Sequence, residues 1–307
     1  MEIATRQTGP AWIFPAWLEP RLISDARFAR AYDAIGDQRR ALLKSIIAHN
    51  FALNPPASVL REQHHRMLAS GLRCRSSITP RPFILLLVDS SLDAPALLLG
   101  ALMPALCSGA ADVLVVRLGS RASVPESLLT SCELAGQERV ASLSATLAAQ
   151  LLIECAQSGL PGLVLHPDTP EMRRVLNRPA LRTALDSSFL RLAPLRVPRG
   201  LGVWRDTVDQ FALDALAFLY AGLELEAGGA KPGRGASKPQ DKSRFQAFAS
   251  VPRELLLVPD ACVETAPSAA RLVLGESCSG LWTWPELSDA LFTATMQACT
   301  TAPETQF

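Results

Sequence analysis

The sequence predicts an α/β fold: a doubly wound, Rossmann-like parallel sheet with helices on both faces, preceded by an N-terminal helical segment and followed by a small C-terminal α/β portion. Three observations carry this expectation. Residues 83–88 are an unbroken apolar run ending in Asp89, Ser90 and Ser91, the pattern of a strand buried on both faces where it emerges at its carboxyl end. A helical apolar run, residues 94–107, follows after a short turn and is stopped by Gly109, as glycine commonly does just past a last helical turn. A second apolar strand, Val113 to Val116, comes next, and the alternation then repeats. Parallel strands need crossover connections, so strands alternating with helices through tight turns mean a parallel sheet covered on both faces.

The remaining elements follow in order. Trp12, Phe14 and Trp17 stand among Pro10, Pro15 and Pro20, which suits an extended arm packed against a neighbouring surface. Phe28, Tyr32, Ile35, Leu42, Leu43 and Ile46 recur at three- and four-residue steps, predicting an amphipathic helix over 25–50 broken or kinked at Gly36. A second helix is expected over 58–70. Beyond the first two strands come a helix at 124–135, a strand at 139–143, a helix at 144–158 and a strand at 162–166. Segments 189–192, 202–205 and a helix over 208–220 are expected to finish the same sheet. Residues 227–243 are rich in glycine and basic side chains and hold no large apolar one, so they read as a loop or linker. Strands at 254–258 and 271–274 and an amphipathic helix at 285–299 complete the chain. The expected organisation is an arm with helices over 1–75, a Rossmann-like domain over 80–225 and a flexible linker over 227–245. Residues 246–307 are expected to be the small C-terminal portion of a truncated catalytic domain.

Composition narrows the function classes. Hydrophobic residues make up 49% and charged residues 19% of the chain, richer in apolar surface than an average soluble domain, which implies extensive burial and room for a homo- or hetero-oligomeric interface. Lys plus Arg number 30 against 29 Asp plus Glu, so no net field exists to hold a nucleic acid against salt. Seven scattered cysteines without a CxxC pair read as reduced thiols. The first residues lack the pattern of a signal peptide. The longest apolar run carries Pro95 and Pro104 and falls short of the roughly 20 residues that span a bilayer. The expectation is a cytoplasmic protein with a small-molecule ligand and no membrane partner.

Ligands of an open doubly wound sheet bind outside the carboxyl ends of its strands. Here those ends are 89–93, 117–121 and 166–169. No GxGxxG follows any strand. Arg117 and Arg121, flanking Gly119 and Ser120, either hold a ribose or 2′-phosphate through a rigid donor fork or form a solvated basic loop. Asp89 and Asp93 could orient a hydroxyl or a metal, but a strand end that leads into a helix equally wants an aspartate as its N-cap, and the cap is the favoured reading. His49, His64, His65 and His166 show no metal-ligand spacing. Among the thiols, Cys107, Cys132 and Cys155 lie in apolar helical stretches as core fillers; Cys299 ends the expected last helix and is either a nucleophile, if its pKa is lowered, or a free buried or frayed cysteine, which is the favoured reading.

Several segments, in order, resemble the aldehyde dehydrogenase and histidinol dehydrogenase superfamily in a shortened and diverged form. Residues 94–120 resemble its small-residue helix, turn and strand. Gln38, Arg39, Arg40, Ala41, Leu42 and Leu43 resemble its N-terminal Arg-x-x-Leu-Leu helix, and Ser158 to Gly162 its Gly-Leu-Pro-x-Gly turn. Residues 223–229 are similar to the segment that supplies the general base, and Gln297 to Thr300 to the segment with the thiol nucleophile. The resemblance implies thiol attack on an aldehyde, hydride transfer to NAD or NADP and release of the thioester. It makes Cys299 the nucleophile, Glu226 the base and Arg117, with Ser120, Asp89 and Asp93 nearby, the cofactor-binding group. Leu92 and Asp93 stand where it implies an oxyanion-binding asparagine.

Three readings follow: an aldehyde-dehydrogenase-like oxidoreductase homologue with full, reduced or lost activity; a non-catalytic scaffold or regulatory subunit that keeps the fold; and an α/β transferase acting on a phosphorylated metabolite at Asp89 to Asp93.

Overall fold

The computed structural model describes residues 13–58, 61–119, 124–207, 210–229, 242–266 and 269–301. The arm leads into a 3₁₀ helix, Ala16–Arg21, and then into α1 (Asp25–Ala34) and α2 (Asp37–Leu53), separated at Ile35 and Gly36 where a break was expected. Residues expected to be helical over 58–70 instead contain β1 (Glu62–Met67), which turns back into β2 (Arg73–Pro80). The physical reason is visible in the side chains. Glu62 to Met67 has no apolar face for a helix to bury, all six residues are exposed, and Gly71 at φ +80° permits the reversal between the strands.

The expected strand–helix alternation then holds: β3 (Phe83–Val88), α3 (Pro95–Cys107), β4 (Asp112–Leu118), α4 (Glu126–Leu134), β5 (Val140–Leu143), α5 (Ala145–Gln157) and β6 (Leu163–Pro167). Two short helices, α6 (Pro170–Leu176) and α7 (Pro179–Asp186), lead to β7 (Arg191–Leu195). The five strands are all parallel in the order β5-β4-β3-β6-β7. The order reverses between β3 and β6, which makes that junction the topological switch point.

The strand expected at 202–205 forms as β8 (Gly200–Arg205), but it opens a second sheet instead of finishing the first. It is followed by α8 (Leu213–Leu219), β9 (Glu224–Gly229), α9 (Lys242–Ala249), β10 (Arg253–Leu257) and β11 (Ala270–Leu274). This sheet is also wholly parallel, in the order β11-β10-β8-β9. The expected linker is therefore strand up to Gly229 and helix from Lys242, and its centre, 230–241, lies outside the described residues.

The helix expected at 285–299 is absent. A 3₁₀ turn, Asp289–Leu291, precedes β12 (Thr293–Thr300), which pairs antiparallel with β2 to give a third sheet, β1-β2-β12. Three β-branched threonines in this segment favour the extended chain.

The alternating side chains of β3 feed two cores. Phe83, Leu85 and Leu87 pack with α5, α6 and the N-terminal arm, where Phe14 meets the Phe83 ring edge-on at 5.4 Å. Ile84, Leu86 and Val88 pack with α3 and, through it, with Leu201, Val203, Leu255 and Leu257 of the second sheet. Helix α3 is consequently buried nearly all round, as its uniformly apolar sequence requires. Two glycines mark close contacts within these cores. A Cβ on Gly162 would lie 2.1 Å from the Phe83 ring, and one on Gly100 would lie 2.5 Å from the Trp282 carbonyl oxygen. The adjacent Trp284 indole donates to the Leu97 carbonyl at 3.1 Å.

Replacing an interior helical glycine by alanine ordinarily gains about 1 kcal/mol from propensity. At Gly100 the sign should reverse, because the methyl meets backbone and overpacking costs about 1–3 kcal/mol. Gly100→Ala is expected to lower the midpoint of urea unfolding; a raised midpoint would show that α3 and the Trp282 segment are not in this contact.

Candidate functional site at the strand ends

At the switch point, Asp89 follows β3 and Thr169 follows β6. Asp89 is 2% exposed and accepts hydrogen bonds from the Ser91 amide at 2.9 Å, from the Ser91 hydroxyl and from the Thr169 hydroxyl. It caps the 3₁₀ turn Ser90–Leu92, as the capping reading expects, and it also ties the two sides of the switch point together. Asp93 does something else. The α3 N-cap is Ala94, and both Asp93 oxygens accept from Arg117, from Nε and Nη2 at 2.9 Å each. Nη1 of Arg117 donates to the Leu118 carbonyl. A bidentate fork of this kind fixes a guanidinium strongly. Arg117 is buried, so its charge is spent inside the protein. Ser120 and Arg121 lie outside the described residues.

One residue further along, the chain opens into a groove of about 700 Å³ lined by Gly119, Ser142, Ser144 and Leu147 on one side and by Trp17, Pro20 and Arg21 on the other. Its floor is the carboxyl ends of β4 and β5 and the first turn of α5, where Ser144 accepts from the Leu147 amide at 3.3 Å. Gly119, at φ +131°, adopts a conformation unfavourable to residues with side chains. The Ser142 hydroxyl donates to the Gly119 carbonyl at 3.0 Å. The wall is the arm. Ile23 donates from its amide to the Val140 carbonyl at 2.7 Å, Leu22 bridges Ala141, and the Trp17 indole donates to both Glu154 oxygens at 3.0 and 3.1 Å. The arm thus covers the β5 edge and holds the Arg21 guanidinium 5.7 Å from the Trp17 ring. An aromatic face, an exposed cation, two hydroxyls and a helix N-terminus converge there. Sequence reasoning placed the arm as packing and missed this role, because the pairing of arm with β5 has no local signature.

The two residues assigned to chemistry by resemblance lie on different sheets. Cys299 is on β12, exposed, directly opposite Cys74 of β2, with the sulfurs 2.7 Å apart. The hydrogen bond with Cys74 raises its pKa above the usual thiol value, against the lowering that a nucleophile needs. Glu226 is on β9, in an ion pair with Arg253 of β10. Cys132 and Cys155 are core thiols whose pKa burial pushes up to about 12, as their apolar helical setting predicts.

His166, near the end of β6, is buried, and its Nδ1 lies 3.1 Å from the Pro167 carbonyl. Burial lowers its pKa from the usual value, outweighing the neighbouring carbonyl and Asp168.

No protein-family model matches the sequence, and a search of the curated proteins finds no match. Among solved structures, histidinol dehydrogenase from Elizabethkingia anophelis is similar at a TM-score of 0.51 and 11% identity, over 92% of this chain and 77% of that one. An indole-3-acetaldehyde dehydrogenase aligns at a TM-score of 0.40 and 9% identity, over 90% of this chain and 85% of that one. A betaine aldehyde dehydrogenase from Staphylococcus aureus, solved with NAD+, aligns at 0.36 and 12% identity, over 86% and 53%. The first likeness shows a shared fold: this chain has the α/β architecture of histidinol dehydrogenase.

Two measurements check the site. Removing the charge of Asp93 leaves the Arg117 guanidinium buried without its partner, which costs about 3 kcal/mol. Asp93→Asn should therefore unfold at clearly lower urea, whereas Glu226→Gln, which alters an exposed carboxylate while Arg253 keeps the Phe248 and Val251 carbonyls as partners, should stay within about 1 kcal/mol of wild type. His166 binds its proton more weakly folded than unfolded. Its contribution to stability is therefore complete above the unfolded pKa near 6.5 and is lost as pH falls from there through the lower folded value. His166→Gln should flatten that acid limb of a stability–pH curve; an unchanged limb would assign it to other groups.

Proposed function

We propose that this chain is a nucleotide-binding protein on the dehydrogenase fold, taking the adenosine and phosphate part of NAD or NADP in the groove at the ends of β4 and β5. The observation that carries this reading is the groove itself. It lies outside the carboxyl ends of two parallel strands, on the β4–β5 side of the switch point between β3 and β6, next to the Gly119 turn, and its lining suits such a ligand. Trp17 offers a ring face for stacking, Arg21 a cation for phosphate, and Ser142 and Ser144 oxygens for ribose hydroxyls. A bound nicotinamide would supply a hydride acceptor.

The positions of Cys299 and Glu226 favour the reading in which aldehyde oxidation through a thioester has been lost, leaving a regulatory or scaffolding role, in a homo- or hetero-oligomer. A thiol nucleophile and its base must act on one carbon, and here each is engaged by a neighbour on its own sheet. The transferase reading is disfavoured because Asp89 and Asp93 already have internal partners.

Thermal unfolding of the full chain with NAD+, NADP+ and ADP-ribose tests the proposal. A ligand at about 100 times its Kd adds roughly 2.7 kcal/mol to stability. Stabilisation by all three is expected, weakened about tenfold in apparent Kd by Arg21→Glu, which removes roughly the free energy of one charge-assisted phosphate contact. It should be unchanged in Cys299→Ala. Absence of stabilisation by any of the three overturns the reading, and NAD-dependent aldehyde oxidation abolished by Cys299→Ala restores the catalytic one.

A further inference from the structure

The pairing of β2 with β12 brings Cys74 and Cys299, 225 residues apart in the chain, into direct cross-strand opposition with their sulfurs 2.7 Å apart. We propose that Cys74 and Cys299 form a redox-active dithiol that closes to an intrachain disulfide when it meets a low-molecular-weight disulfide, covalently fastening the last strand to the body of the protein.

Directly opposed residues on antiparallel strands have Cα atoms about 4.5 or 5.5 Å apart, and both values lie inside the range a disulfide spans. The strands need not move to make the bond. Access is also present: Cys299 is exposed and Cys74 half-buried, whereas Cys107, Cys132 and Cys155 are sealed in the cores. Arg66 of β1 stands directly opposite Cys74 on its other side, so Arg66, Cys74 and Cys299 form one row across the three strands. The guanidinium favours thiolate at Cys299, opposing the raising effect of the shared sulfur hydrogen bond.

The exchange balances as follows. The Cys299 thiol gives its proton to solvent, and its thiolate attacks one sulfur of the small disulfide RSSR, expelling RS⁻, which takes up a proton. The Cys74 thiolate, its proton likewise released, then attacks the Cys299 sulfur and expels the second RS⁻. The products are the protein disulfide and two RSH. The protein thiols lose two electrons, and the small disulfide gains them.

The step makes no use of the nucleotide groove and stands independently of that reading. Its consequence is mechanical. The open thiols leave β12 without a covalent link to β2, while the disulfide closes the chain into a long covalent loop, which disfavours the unfolded state.

The test incubates the full chain with millimolar oxidised glutathione, quenches with an alkylating agent and maps the peptides by mass spectrometry. The expected result is a cross-link between the peptides holding Cys74 and Cys299 and the loss of two alkylated sites. A rise in Tm of about 5 °C, reversed by dithiothreitol, should accompany it. Cys74→Ser and Cys299→Ser should each abolish the cross-link and the rise, and leave the remaining thiol as its glutathione adduct. Full alkylation of both wild-type thiols after exposure, persistent adducts without a cross-link, or disulfide-linked dimers in place of the intrachain bond would each overturn the proposal.

Discussion

The contact on which the rest of the structure depends is the bare face of α3 at Gly100, pressed against the carbonyl of Trp282. On its other side α3 lies on Ile84, Leu86 and Val88 of the first sheet, so one helix joins the two parallel sheets into one core. Trp282 is fully buried, meets Trp284 edge-on at 5.4 Å and lies under the Arg271 guanidinium at 4.6 Å. The segment that follows β11 is thus fixed against the helix that follows β3. This explains why 94–107 is apolar throughout without being a membrane segment: a helix enclosed by protein on all sides needs no polar face, and among the described residues no helix is long and apolar enough to cross a bilayer.

A second constraint acts at the opposite end of the first sheet. Arg81 is buried and donates to the carbonyls of Leu291 at 2.7 Å, Pro161 at 2.9 Å and Gly162 at 3.3 Å, while its amide donates to the Phe292 carbonyl at 2.9 Å. Burying the cation is compensated by carbonyl dipoles, and the chain before β12 is held beside the chain before β3. Register follows from this. With Phe292 fixed at Arg81, Thr293 falls opposite Pro80, and six residues further on Cys299 falls opposite Cys74. A slip of one residue would send the two thiols to opposite faces of the sheet. Their meeting is therefore a consequence of the Arg81 clamp, set at the far end of the ladder.

What the sequence discloses and what it hides divide along this line. The first sheet is legible because β3, β4 and β6 are buried on both faces, and continuous apolar runs such as Phe83 to Val88 need no knowledge of their partners to be recognised. Asp89 as a cap is legible for the same reason, being a local arrangement. The hidden elements are those whose pattern depends on distant chain. Glu62 to Met67 is wholly exposed and shows no alternation, so only its pairing with β2 makes it a strand. Residues 293–300 show threonines that suit a strand, but an apolar spacing that also suits a helix. Gly200 to Arg205 reads as a strand in either sheet, and its choice of β9 and β10 as neighbours is a tertiary one. The groove shares this origin, since its wall is an arm that stands far from its floor in the chain, Arg21 against Gly119 and Ser142.

The electrostatics of the strand ends bear on what such a fold can bind. Asp89 and Asp93 would place two negative charges at the mouth of the crevice if left bare, and a dinucleotide phosphate would be repelled. Arg117 neutralises Asp93 through a two-point fork, and three hydrogen bonds surround Asp89, so the acids are absorbed into the framework. Among the described residues that line the groove, the exposed cation is Arg21, on the arm. On the proposed reading, the inner arginine serves the framework and the arm presents the cation for an anionic ligand. If a ligand binds there, its affinity is coupled to how firmly the arm is seated, through Trp17 on Glu154 and through Ile23 on Val140, because the same segment that walls the groove also covers the β5 edge.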